Sequence, residues 1–137
     1  MSQYNGFHIC FEHLSTMLED VKACYPLEAC GIVAGLDGQT TQVFPITNIL
    51  NSPVRFKFDP KEQLHIFNKL EEEHWELFGV YHSHPQGPAT PSPTDIAEAA
   101  YPDVTYLIWS KSGSIWICRG FKIRSGAVEE ITIAIND

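Results

Sequence analysis

The chain has 137 residues, of which 44% are apolar and 19% charged, so it is long enough for one domain with a buried core and too apolar for a disordered segment. Its 17 acidic residues against 9 Lys and Arg give a formal charge of −8, which excludes the excess of cations that phosphate neutralisation requires. Nucleic acid is not an expected partner. No apolar run approaches the roughly 20 residues that cross a bilayer, so no membrane association is expected. The stretch Met1-Ser2-Gln3-Tyr4-Asn5 lacks the features of a signal peptide. Together with four cysteines that form no C-x-x-C spacing, this predicts a cytoplasmic protein whose thiols are small hydrophobes.

Residues 3–10 predict a first strand, with Phe7, Ile9 and Phe11 at period two. From Phe11 to about Tyr25 the positions Leu14, Leu18, Val21 and Cys24 or Tyr25 recur as on one helix face, with Ser15 as candidate cap and Pro26 beyond the end. Cys30 to Leu36 reads as a strand buried on both faces. Asp37-Gly38 is a hairpin turn, and Thr40 to Ile46 is the returning strand. After an irregular stretch at 47–59, Asp59-Pro60 opens a second helix with Leu64, Phe67 and Leu70 as its stripe and a solvated acidic run, Glu71-Glu72-Glu73. Leu77 to His84 reads as a strand and Thr94 to about Ala100 as a short helix. Strands follow at Thr105–Ser110, Ser114–Arg119 and about Phe121–Ile135, the last broken at Ser125-Gly126. This order predicts an α/β or α+β layered domain spanning 1–137.

The chemistry concentrates in residues 81–95. His82 and His84 end an apolar strand two residues apart, so both imidazoles project from one face. Asp95 follows a loop rich in proline and glycine, and three such ligands leave a zinc ion one position for water. Ser92-Pro93-Thr94-Asp95 also reads as a helix start, with Ser92 the N-cap. The two readings of Asp95 are compatible.

The spacing H-x-H-x7-S-x2-D, with Glu28 upstream in Glu-Ala-Cys-Gly-Ile-Val-Ala-Gly, resembles the JAMM motif of the MPN metalloprotease family. The length is similar to that of its small stand-alone prokaryotic members. The resemblance runs from Leu27 to about Ile117 and implies a cytidine-deaminase-like architecture, a curved mixed sheet with flanking helices. It implies one Zn2+ per chain on His82, His84 and Asp95, with Glu28 as general base and Ser92 as oxyanion donor. The implied substrate is an amide or isopeptide bond after the Gly-Gly tail of a ubiquitin-like or sulphur-carrier protein. A homodimer is common in comparable domains.

An extended tail is expected to add as a strand at the sheet edge beside the metal, with contacts in the region 47–58, Phe56 and Phe58 among them. The rival reading is a non-catalytic MPN scaffold, which typically lacks motif residues that this chain retains. A small-molecule deaminase would need a P-C-x-x-C element, absent here. His8, His13, His65 and His74 share no ligand spacing, and there is no H-E-x-x-H or G-x-S-x-G element.

Overall fold

A computed structural model of the chain describes residues 6–136. Its elements are β1 (Phe7–Cys10), α1 (Phe11–Cys24), β2 (Cys30–Leu36), β3 (Gln39–Ile46), α2 (Pro60–Glu73), β4 (Glu76–His84), α3 (Pro93–Glu98), β5 (Thr105–Ser112), β6 (Ile115–Arg124), β7 (Ala127–Ile131) and β8 (Ile133–Asn136). Six strands form one sheet in the order β3-β2-β4-β5-β6-β7. β4 and β5 run parallel and every other neighbour in this sheet is antiparallel. The fold is the mixed α/β layered one expected.

Alternation along the strands sets the two faces. Val33, Tyr81, Leu107 and Trp109 pack against Met17 and Val21 of α1. On the other face, Ile32, Ala34 and Ile46 pack against Ile66 and Leu70 of α2. Burying such side chains contributes roughly 1.5–3 kcal/mol each, which holds both helices on the sheet. Gly31 admits the closest approach: a Cβ there would collide with the Tyr81 ring and lie 2.6 Å from the Phe44 carbonyl oxygen. The Tyr81 hydroxyl donates to Asp20 of α1 at 2.7 Å, so this ring joins sheet to helix.

Several expectations change. The first strand is seen from Phe7, its residues 3–5 lying outside the described ones. Phe11 starts α1 and is exposed. The helix is capped by Cys10 without a side-chain bond, leaving Ser15 in its interior. Leu64 is exposed on α2, where Ile66 is buried instead, because the face turned to the sheet is offset from the predicted stripe. The cap Asp59 behaves as expected, accepting from the Lys61 amide at 2.8 Å.

At the C-terminal end, β6 runs unbroken through Gly120, which packs over Thr105 and Leu107. The turn falls at Ser125 and Gly126, both at positive φ. The last strand divides at Thr132, whose carbonyl accepts from the Phe7 amide, and β8 pairs parallel with β1. Among the described residues no helix is long and apolar enough to cross a membrane.

Candidate metal centre

β4 carries both histidines. His82 stands opposite Cys30 of β2 and Ile108 of β5, and His84 opposite Ser110. Two residues apart on one strand, they share a face. The loop after β4 returns the chain so that α3 begins beside them. Ser92 caps α3 reciprocally: its Oγ accepts from the Asp95 amide at 3.0 Å, and its own amide donates to Asp95 Oδ2 at 2.9 Å. This box turns the Asp95 carboxylate toward the strand.

The three side chains converge tightly. His82 Nε2 and His84 Nε2 are 3.0 Å apart, and Asp95 Oδ2 lies 3.2 Å from the first and 3.1 Å from the second. Ligand atoms about 2.1 Å from a tetrahedral zinc are separated by about 3.4 Å, so this triangle fits that ion to within a few tenths of an ångström. The donor set, two imidazole nitrogens and a carboxylate, fits it chemically.

The ionisation of the three groups is coupled. Burial alone would raise Asp95, but the hydrogen bonds from His82 and His84 hold its carboxyl well below the usual range. Burial lowers His82, against the pull of Asp95. His84 is also penalised by burial, yet Asp95 and the Pro88 carbonyl raise it.

The second nitrogens are held differently. His84 Nδ1 donates to the Pro88 carbonyl at 2.7 Å, which leaves Nε2 to face the other ligand atoms. His82 Nδ1 is buried without a hydrogen-bond partner among the described residues, and the Phe56 ring stacks on the imidazole at 4.5 Å. A ring face, rather than a second acceptor, therefore orients His82. Pro88 and Phe56 in these roles carry no local sequence signal, because each meets its histidine only through the path of a loop.

Glu28 lies two residues before β2 and is only 4% exposed. Its carbonyl accepts from Asn48 Nδ2 at 3.1 Å and its amide donates to Ser52 at 2.9 Å, so both backbone groups are tied down. No described residue donates a hydrogen bond to its carboxylate. Burial pushes that carboxyl up to about 8, with His84 opposing and Asp95 adding to the rise. The surface position that a charged residue at a strand entrance would ordinarily take is thus not the one it occupies.

Glu28, His84 and Ser92 line one groove of about 300 Å³, walled by Pro53, Val54 and the 86–93 loop. β4 lies inside the sheet between β2 and β5. Within the stretch 47–58 expected to meet a bound tail, Val54 stands exposed at the groove, Phe56 is half-buried against His82, and Phe58 packs into the cores under the sheet. The remaining histidines stay apart from the site: His13 pairs with Thr40 Oγ1 at 2.7 Å and His74 closes α2 in a left-handed conformation.

Comparison with known proteins agrees with this geometry. The family of prokaryotic homologs of the JAB domain matches residues 12–121. A desampylase of Haloferax volcanii is 37% identical over 111 residues, covering 76% of this chain and 80% of the relative. A CysO-cysteine peptidase of Mycobacterium tuberculosis is 32% identical over 120 residues, covering 85% and 82%. A protein from Desulfitobacterium hafniense of known structure superposes with a TM-score of 0.85 at 32% identity, over 95% of this chain and 92% of that one. A structure described as JAMM, a metalloprotease-like zinc site in the proteasome and signalosome, shares the fold with a TM-score of 0.61 at 19% identity, over 96% and 99%. The chain therefore belongs to the family of prokaryotic homologs of the JAB domain.

Proposed function

We propose that this protein is a zinc-dependent peptidase or isopeptidase that hydrolyses the amide after the C-terminal Gly-Gly tail of a ubiquitin-like or sulphur-carrier protein. The observation that carries the reading is the triangle of His82, His84 and Asp95, with ligand atoms 3.0–3.2 Å apart, beside a buried Glu28. The names of its relatives, a desampylase and a CysO-cysteine peptidase, support the substrate class.

His82, His84 and Asp95 would hold one zinc ion, which when bound acts as a Lewis acid on the scissile carbonyl and the attacking water. Glu28 accepts the proton of that water and returns it to the nitrogen of the leaving amine. The water oxygen is thereby joined to the carbonyl carbon as the C–N bond breaks. Ser92 donates its hydroxyl proton to the developing oxyanion. Its cap role does not compete, because capping uses the oxygen as acceptor from Asp95 and leaves the O–H free to donate.

The test is metal content of the purified protein followed by cleavage of a Gly-Gly-linked ubiquitin-like fusion. About one zinc per chain and chelator-sensitive cleavage are expected. A zinc-loaded protein that leaves every such fusion intact would overturn the reading.

A further inference from the structure

Two cavities meet at Glu28. One is the groove that carries His84 and Ser92. The other, of about 410 Å³, lies between the C-terminal half of α1, the end of β3 and the first turn of α2. Asp20, Glu28 and Glu62 line it together with Cys24, Asn48 and Asn51, and no Lys, Arg or His contributes to its wall. Desolvation pushes the buried Cys30 thiol up, and Asp20 and Glu62 of this wall push it further. Asn48 offers no relief, since its side-chain amide donates to the carbonyls of Glu28 at 3.1 Å and Arg55 at 3.0 Å. Glu28 itself, 4% exposed, has a carboxylate to which no described residue donates.

We infer that this second cavity receives the leaving-amine side of the substrate, and that Asp20 and Glu62 make it select against a leaving group with a free carboxylate. The inference rests on the peptidase reading above. Hydrolysis must deliver a proton to the leaving nitrogen, so that nitrogen lies beside Glu28. The oxyanion lies toward Ser92, in the other groove. The rest of the leaving group then extends past Glu28 into the acidic cavity. An acceptor lysine within a basic or neutral segment fits that wall. A single amino acid leaving with its α-carboxylate brings a negative charge against Asp20 and Glu62.

The experiment compares three substrates built on one ubiquitin-like protein ending in Gly-Gly. In the first its tail is joined to the Nε of a lysine in an amidated peptide, in the second to alaninamide, and in the third to alanine with a free carboxylate. The last two differ by one charge. The zinc-loaded wild type is expected to cleave the first two with kcat/KM about tenfold above the third, the scale of one like-charge contact near a protein surface. Asp20→Asn and Glu62→Gln, which keep the acceptors for Tyr81 and the Thr47 amide, are expected to shrink that ratio toward one, as is high salt with the wild type. Equal or faster cleavage of the free-carboxylate substrate by the wild type overturns the assignment. So does a ratio unmoved in both variants. Cleavage of none of the three defeats the peptidase reading itself, and the pocket assignment with it.

Discussion

Ser83 holds Ala29 by both backbone groups: the Ala29 amide donates to Ser83 Oγ at 2.8 Å, and the Ser83 amide donates to the Ala29 carbonyl at 3.0 Å. Ser83 separates the two histidines in sequence and, by alternation, faces away from them, while Ala29 follows Glu28 directly. One buried hydroxyl thus fixes the strand that bears His82 and His84 to the residue that follows Glu28. Ser83→Ala should leave a buried amide unpaired, costing about 1–3 kcal/mol in urea denaturation. It should also lower kcat at least about tenfold through misplacement of Glu28, with zinc content unchanged. Full turnover in the variant would remove Ser83 from any positioning role.

Glu28 and Asp95 should separate chemistry from metal binding. Glu28→Gln is expected to keep about one zinc per chain and lose roughly 10²–10⁴-fold in kcat, the usual contribution of a positioned acid–base group. Asp95→Ala is expected to lose both zinc and activity, because it removes a ligand and one half of the α3 capping box. Elemental analysis alongside single-turnover rates reads both effects.

Ser92 has two roles that substitution can divide. Ser92→Ala should cost about 1 kcal/mol of stability as a lost N-cap and about 10²–10³-fold in kcat as a lost oxyanion donor. Ser92→Gly should recover most of the stability, since glycine is a tolerated cap, and none of the turnover. Turnover that tracks stability across the two variants would leave Ser92 a cap and nothing more.

The buried Glu28 carboxyl gives the metal-free protein a pH signature. Its value is raised from 4.5 to about 8, so between those limits the folded state keeps a proton that the unfolded state has released. The stabilisation is fully present below 4.5 and is lost as pH rises toward 8, by at most about 1.4 kcal/mol per pH unit. The difference in thermal midpoint between metal-free wild type and metal-free Glu28→Gln should therefore move against the wild type across that window. A flat difference would show that the carboxylate ionises as freely when folded as when unfolded.

Gly31→Ala should destabilise without touching the site. The added methyl would strike the Tyr81 ring and the Phe44 carbonyl, and neither can retreat, because Tyr81 is fully buried and bonded to Asp20. A loss of about 1–3 kcal/mol is expected, the usual cost of overpacking, measured by denaturant titration. A neutral substitution would mean that the sheet shifts away from α1 more easily than this packing implies.

By itself the sequence determined the elements whose cause is local. Period two put His82 and His84 on one face, Asp37 and Gly38 adopted the positive φ of a hairpin turn, and Asp59 and Ser92 capped the helices they precede. His82, His84, Asp95 and Glu28 could be singled out because their order and spacing resemble the JAMM motif. Tertiary structure alone decided which groups orient them. Phe56 reaches His82, Pro88 reaches His84 and Ser83 reaches Ala29 across 26, 4 and 54 residues of chain, through loop paths and strand pairings that no local pattern encodes. The same holds for the parallel pairing of β4 with β5, which places the histidine strand inside the sheet, and for the departure of β8 to β1. It holds too for the acidic cavity, where Asp20, Glu28 and Glu62 come from two helices and a strand entrance. Periodicity reports how a residue faces its own element. Only packing between elements reports what that face meets.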